Sequence, residues 1–129
     1  MTDNSMSILF GVGNVQLKVL GKVVYYVGIS GNYSVSLNNP GIASDYEIIR
    51  ALTIETVKKT AAKLLKKYVK SNNVSISDNQ MHKEALKNLI NHKLSGKIIK
   101  GIVIEQIDVE KLFFRSVNVE LPSITPNKN

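Results

Sequence analysis

The chain has 129 residues, 43% of them hydrophobic and 21% charged, with no cysteine. That is length for one buried core and not two, a composition too apolar for a disordered chain, and a cysteine count that excludes disulfide frameworks, thiolate nucleophiles and cysteine-type zinc sites. The formal charge of +7 is concentrated centrally, because residues 51–100 hold eleven basic and three acidic groups while residues 1–50 and 101–129 are each nearly balanced.

The opening Met1-Thr-Asp-Asn-Ser-Met-Ser7 has none of the basic, apolar and cleavage regions of a secretory signal. Apolar runs such as Val23-Val-Tyr-Tyr-Val27 are far too short to span a bilayer as a helix. A cytosolic protein is expected, reaching a membrane only peripherally.

From Ile8 to Leu37 the sequence reads as an antiparallel meander. Val15, Leu17 and Val19 sit at alternate positions, Gly21-Lys22 offers a turn, Val23 to Val27 is β-branched and aromatic, and Gly28-Ile-Ser-Gly31 breaks the run before Tyr33, Val35 and Leu37 resume it. Gly11-Val-Gly13 lacks the third glycine and following helix of a dinucleotide loop and reads as a bend or bulge. Gly28-Ile-Ser-Gly31 has the outline of a KH clamp loop but lies between strands, not helices, so a turn is expected. Asn38-Asn-Pro-Gly41 closes the meander.

Helical spacing starts at Ser44-Asp-Tyr-Glu47, which has capping-box spacing. It predicts a short helix over about 45–52, giving way near Thr53 to a longer one reaching Lys70. Ile54, Val57, Ala61, Leu64, Leu65 and Tyr68 fall on one side of the longer helix, with Lys59, Lys63, Lys66, Lys67 and Lys70 opposite. Ser77-Asp78 can cap a further helix with Met81, Ala85, Leu86, Leu89 and Ile90 as its inward stripe and Gly96 as its stop. Gly96 to Val109 then reads as one strand halted by Asp108, and Lys111 to Leu121 as a further edge strand before a frayed tail from Pro122.

The fold class that follows is α+β: an antiparallel β-meander, two or three helices on one face of the sheet, and a returning C-terminal strand. A single domain over 1–129 is expected, its core at about 8–112.

Two stretches carry a family resemblance. Gly31-Asn-Tyr-Ser-Val-Ser-Leu-Asn-Asn-Pro40 resembles the tyrosine, alternating strand and Asp-Pro turn of SPFH domains (the stomatin, prohibitin and flotillin superfamily), with Asn39 where aspartate is usual. Gly96, Ile99, Ile102, Ile104, Ile107 and Asp108 resemble the glycine and spaced aliphatics ending in Ile-Asp-Leu-Pro, with Val109-Glu110 in place of Leu-Pro. The resemblance covers about residues 8–112. It implies a non-catalytic scaffold that associates laterally with copies of itself, commonly at a membrane.

The lysine face of Lys59, Lys63, Lys66, Lys67 and Lys70 reads as a solvated surface, as a docking face for an anionic lipid surface or acidic protein, or as a phosphate contact for nucleic acid. Nucleic acid is the weakest of these, because no aromatics interleave the lysines and Arg50 is the only arginine near them. It nonetheless supplies the alternative function, a small basic nucleic-acid-binding protein. His82 and His92, ten apart on one predicted helix, are expected at the surface and cannot share a metal ion within one chain. Glu105, Asp108 and Glu110 have no nucleophile or histidine beside them and read as edge protection or as partners for a neighbour's lysines. Adjacent aromatics on a strand face opposite ways, so one of Phe113 and Phe114 is expected outward. Asp108, Glu110, Phe113 and Phe114 are thus the expected self-association residues of a homo-oligomer. No enzyme activity and no cofactor are expected.

Overall fold

The computed structural model describes residues 6–37, 45–72, 74 and 76–117. The expected capping serine Ser44, the Asn38 to Gly41 turn and the tails 1–5 and 118–129 lie outside them. Strand β1 (Met6–Val19) and strand β2 (Lys22–Leu37) are followed by helix α1 (Tyr46–Ser71), a short 3-10 turn (Ile76–Asp78), helix α2 (Asn79–Leu94), strand β3 (Ile98–Ile99) and strand β4 (Ile102–Ser116). All pairings are antiparallel and the sheet order is β1-β2-β4-β3. The fold is α+β, with the returning strand set against β2.

Both hairpins close on two residues with positive φ, Leu20 (53°) with Gly21 (82°), and Lys100 (50°) with Gly101 (82°). Two consecutive left-handed residues match the twist of the flanking strands, which fixes the registers Val19↔Lys22 and Ile99↔Ile102. The stretch Gly96–Val109, expected as one strand, is therefore a tight hairpin followed by a long strand. Asp108 does not end that strand, which continues to Ser116 in place of a separate edge strand.

Nor does Gly28-Ile-Ser-Gly31 break β2, which runs unbroken through it. A Cβ at Gly31 would overlap the carbonyl oxygen of Asp108, and one at Gly28 would run into the Phe113 ring. These glycines serve close approach by a partner strand and not a turn. Gly31 sits where the register shifts, with Ser30 opposite Lys111 and Gly31 opposite Val109, so Glu110 is the extra residue of a bulge. Glu105 is the extra residue of a second, between Ser34↔Gln106 and Val35↔Ile104. The bend expected at Gly11–Gly13 is a bulge between Val12 and Val15, with Asn14 at φ 61°.

Helix α1 is continuous, without the boundary expected near Thr53. Its N-cap is Asp45, whose carboxylate accepts from the amides of Glu47 (2.8 Å) and Ile48 (3.4 Å). Thr53 is fully buried and donates its hydroxyl hydrogen to the Ile49 carbonyl at 2.9 Å. The buried Tyr33 hydroxyl, 2.8 Å away, therefore donates to the Thr53 oxygen, and the helix is fastened to β2.

Ile49, Ile54, Val57, Ala61, Leu65 and Val69 of α1 join Leu86, Ile90 and Leu94 of α2 over Ile8, Phe10, Val27, Ile29, Tyr33, Val35, Ile102, Ile104, Ile107, Val109 and Leu112 of the sheet. The stripe of α2 is rotated from the expected one. His82 is buried where Met81 was expected, while Met81 and Leu89 are exposed.

Candidate functional site

Lys59, Lys63, Lys66, Lys67 and Lys70 are all exposed on α1, which lies against β1 on one flank and α2 on the other. Lys66 and Lys70 line a cleft of about 570 Å³ shared with Asn14 to Lys18 of β1. Lys63 and Lys67 line a groove of about 540 Å³ together with Thr60, Leu64, Leu94, Lys93 and Lys97. Lys59 borders neither. An ion pair joins Lys87 to Asp108 at 3.5 Å and involves none of these lysines.

The acidic residues are engaged differently. Ser36 donates to Glu105, Asn32 donates to Glu110 at 2.8 Å, and Asp108 faces Asn32 in register and pairs with Lys87 of α2. All three contacts tie β4 to its own neighbours. Phe113 is 45% exposed and lies across Gly28. Phe114 packs against the core and meets Tyr25 edge-on, with centroids 5.7 Å apart. Arg115 lies 4.7 Å above the Tyr26 ring and donates to Asn14 at 2.6 Å.

The two long edges of the sheet differ most. Along the outer edge of β4, α2 presents side chains where another strand would run. Asn91 accepts from the Ile107 amide at 2.9 Å and donates to the Ile107 carbonyl at 2.5 Å. Ser95 donates to the Glu105 carbonyl at 2.8 Å, Asn79 to that of Leu112 at 2.7 Å, and Lys83 to that of Glu110 at 3.4 Å. Farther along, β3 and the turn before it take the same edge, with Gly96 donating to Ile104 and Ile104 to Lys97. Strand β4 is thus closed from Ile102 to Leu112.

Strand β1 has β2 on one side and, among the described residues, no strand on the other. Its 14 residues include a single charge, Lys18, and Leu9 is 69% exposed. Neither proline nor charge interrupts residues 6–17. An open edge of this length without such blocking residues is a template for another strand. Composition alone could have flagged it, since residues 6–17 carry no proline and no charge, although a bulge between Val12 and Val15 interrupts the strand.

His82 is 3% exposed, not at the surface as expected, and its Nδ1 lies 2.7 Å from the Tyr68 hydroxyl between the two helices. Its Nε2 is buried without a partner. His92 is exposed, so the two do not meet. Among the described residues no group of three histidine, cysteine or carboxylate side chains is placed to hold a metal ion, and no helix is long and apolar enough to cross a membrane. Neither the family models of known proteins nor any curated protein or solved structure matches this chain.

Proposed function

We propose that the protein is a self-associating structural module that works by contact and not by turnover, and that its unit of assembly is a two-fold dimer joined through β1. The observation that carries this reading is the contrast between the edges: α2 hydrogen-bonds the backbone of β4, whereas among the described residues no strand pairs with the outer edge of β1. Edge pairing with a second copy then has one geometry, β1 against β1 of the partner. That contact is self-complementary and closed, doubling the sheet without propagating a filament. Two antiparallel copies of residues 6–17 meet without like charges, and Lys18 of each points away from the other's centre. The resemblance to SPFH domains points to the same class of behaviour. The lysines of α1 remain free for an anionic surface or acidic partner.

Light scattering over a concentration series tests this. The expected mass is twice 14.3 kDa. Leu9→Lys, at a site too exposed to disturb the core, puts a charge on the pairing edge of each copy and is expected to weaken the dimer by about tenfold or more. Wild-type protein that remains monomeric at about 1 mM, where a merely millimolar contact would be half occupied, overturns the proposal.

A further inference from the structure

We propose that the groove between α1 and α2 binds a compact polyphosphate, a ligand with several phosphoryl groups on a small frame. Lys63 and Lys67 reach it from one turn of α1, and Lys93 and Lys97 from the end of α2 and the turn beyond. Thr60 adds a hydroxyl and no carboxylate lines the groove. Four ammonium groups around about 540 Å³ repel one another, and a polyanion seated among them relieves that repulsion. The helix dipole accounts for Lys93 in the last turn of α2, but Lys63 and Lys67 precede the last turn of α1, where that field has faded.

The lining also says which anion. It contains no aromatic ring and no arginine, so bases have nothing to stack on and planar carboxylates have no fork to grip. Lysine binds phosphate as a point charge, and several together favour a ligand whose charges are clustered. Leu64 is half-buried and Leu94 buried, so the groove offers no exposed apolar side chain to insert into a bilayer. A soluble polyphosphate and the headgroup of a polyphosphorylated lipid share the required chemistry.

Isothermal titration of the full chain with inorganic tripolyphosphate at low salt is the test, run beside Lys67→Gln/Lys97→Gln, which changes one lysine on each wall, and Lys58→Gln/Lys59→Gln, which removes two exposed lysines outside the groove. The groove pair is expected to weaken binding by at least about tenfold and the control pair by less than about twofold. Vesicles containing phosphatidylinositol 4,5-bisphosphate form the second arm. Binding there but not to tripolyphosphate, with the same dependence on the groove pair, assigns the site to a lipid headgroup. Equal losses in the two variants, no binding to either probe, or tighter binding of a single-stranded oligonucleotide than of tripolyphosphate would overturn the proposal. Because no residue of β1 lines the groove, these readouts are separable from whether the protein dimerises.

Discussion

Asn91 and Ile107 hold each other reciprocally, the one side-chain amide accepting from the Ile107 N–H and donating to its carbonyl. A helix residue thereby supplies both bonds of a missing strand. The same amide also donates to the Lys87 carbonyl at 3.0 Å, which holds it in place against the helix.

Replacing Asn91 with Ala should cost about 1–3 kcal/mol, because it leaves a half-buried donor and acceptor on β4 without partners. Chemical denaturation measures the loss. Hydrogen exchange at the Ile107 amide should accelerate beyond what the global change in stability explains, and unchanged relative protection would show that the helix does not close this edge.

Tyr33 makes stability sensitive to alkali. Burial pushes its hydroxyl above the ordinary 10.0. Above that ordinary value the unfolded chain releases a proton that the folded chain keeps, so stability is intact below about pH 10 and falls as pH rises through the window. Tyr68, also raised by burial, acts in the same direction. Tyr33→Phe should cost about 1 kcal/mol at neutral pH and flatten the alkaline fall. A variant whose stability declines above pH 10 as steeply as the parent's would refute this assignment.

Gly31→Ala should be among the most damaging single substitutions, at about 3 kcal/mol or more, since the new methyl group meets the backbone of Asp108 and not a movable side chain. Gly28→Ala should be milder, because the half-exposed Phe113 ring can swing aside and the backbone obstacle, the Val12 carbonyl at 2.8 Å, is less close than that of Asp108 at Gly31. Melting temperatures in the reverse order would contradict this reading of the bulge.

His82→Phe removes a buried nitrogen that has no partner and keeps the ring against Tyr68. The half-buried Tyr68 hydroxyl can turn to water, so the change should be neutral or stabilising within about 1 kcal/mol. A loss of several kcal/mol by denaturant titration would mean that the Tyr68 contact outweighs the orphaned nitrogen.

Periodicity made the two hairpin strands, both helices and the returning strand legible, and it separated the lysines of α1 from its buried side. What it missed were residues whose role is set by a distant partner. A helix boundary is expected near Thr53, yet the helix runs through it and Tyr33 bonds its hydroxyl there. Gly28 and Gly31 read as a turn, although what requires them is a strand about eighty residues later. His82 and Met81 are neighbours on α2, and a rotation of about 100° decides which is buried. Nothing in the sequence singles out Asn91, and only the packing of α2 beside β4 gives it a backbone to bind. Lys63 and Lys67 were visible as a face, whereas their meeting with Lys93 and Lys97 depends on the helices running back to back.

The pairing of β2 with β4, from Leu37↔Ile102 out to Tyr25↔Ser116, joins nearly the second element made to the last. As the chain leaves the ribosome, β2 must wait through the synthesis of both helices with Val27, Ile29, Tyr33 and Val35 lacking their final neighbour. Long-range antiparallel pairing is slow to form, and the waiting intermediate is prone to aggregate. Recovery of soluble material should accordingly depend on growth temperature and chaperone supply more steeply than the stability of the finished fold would suggest.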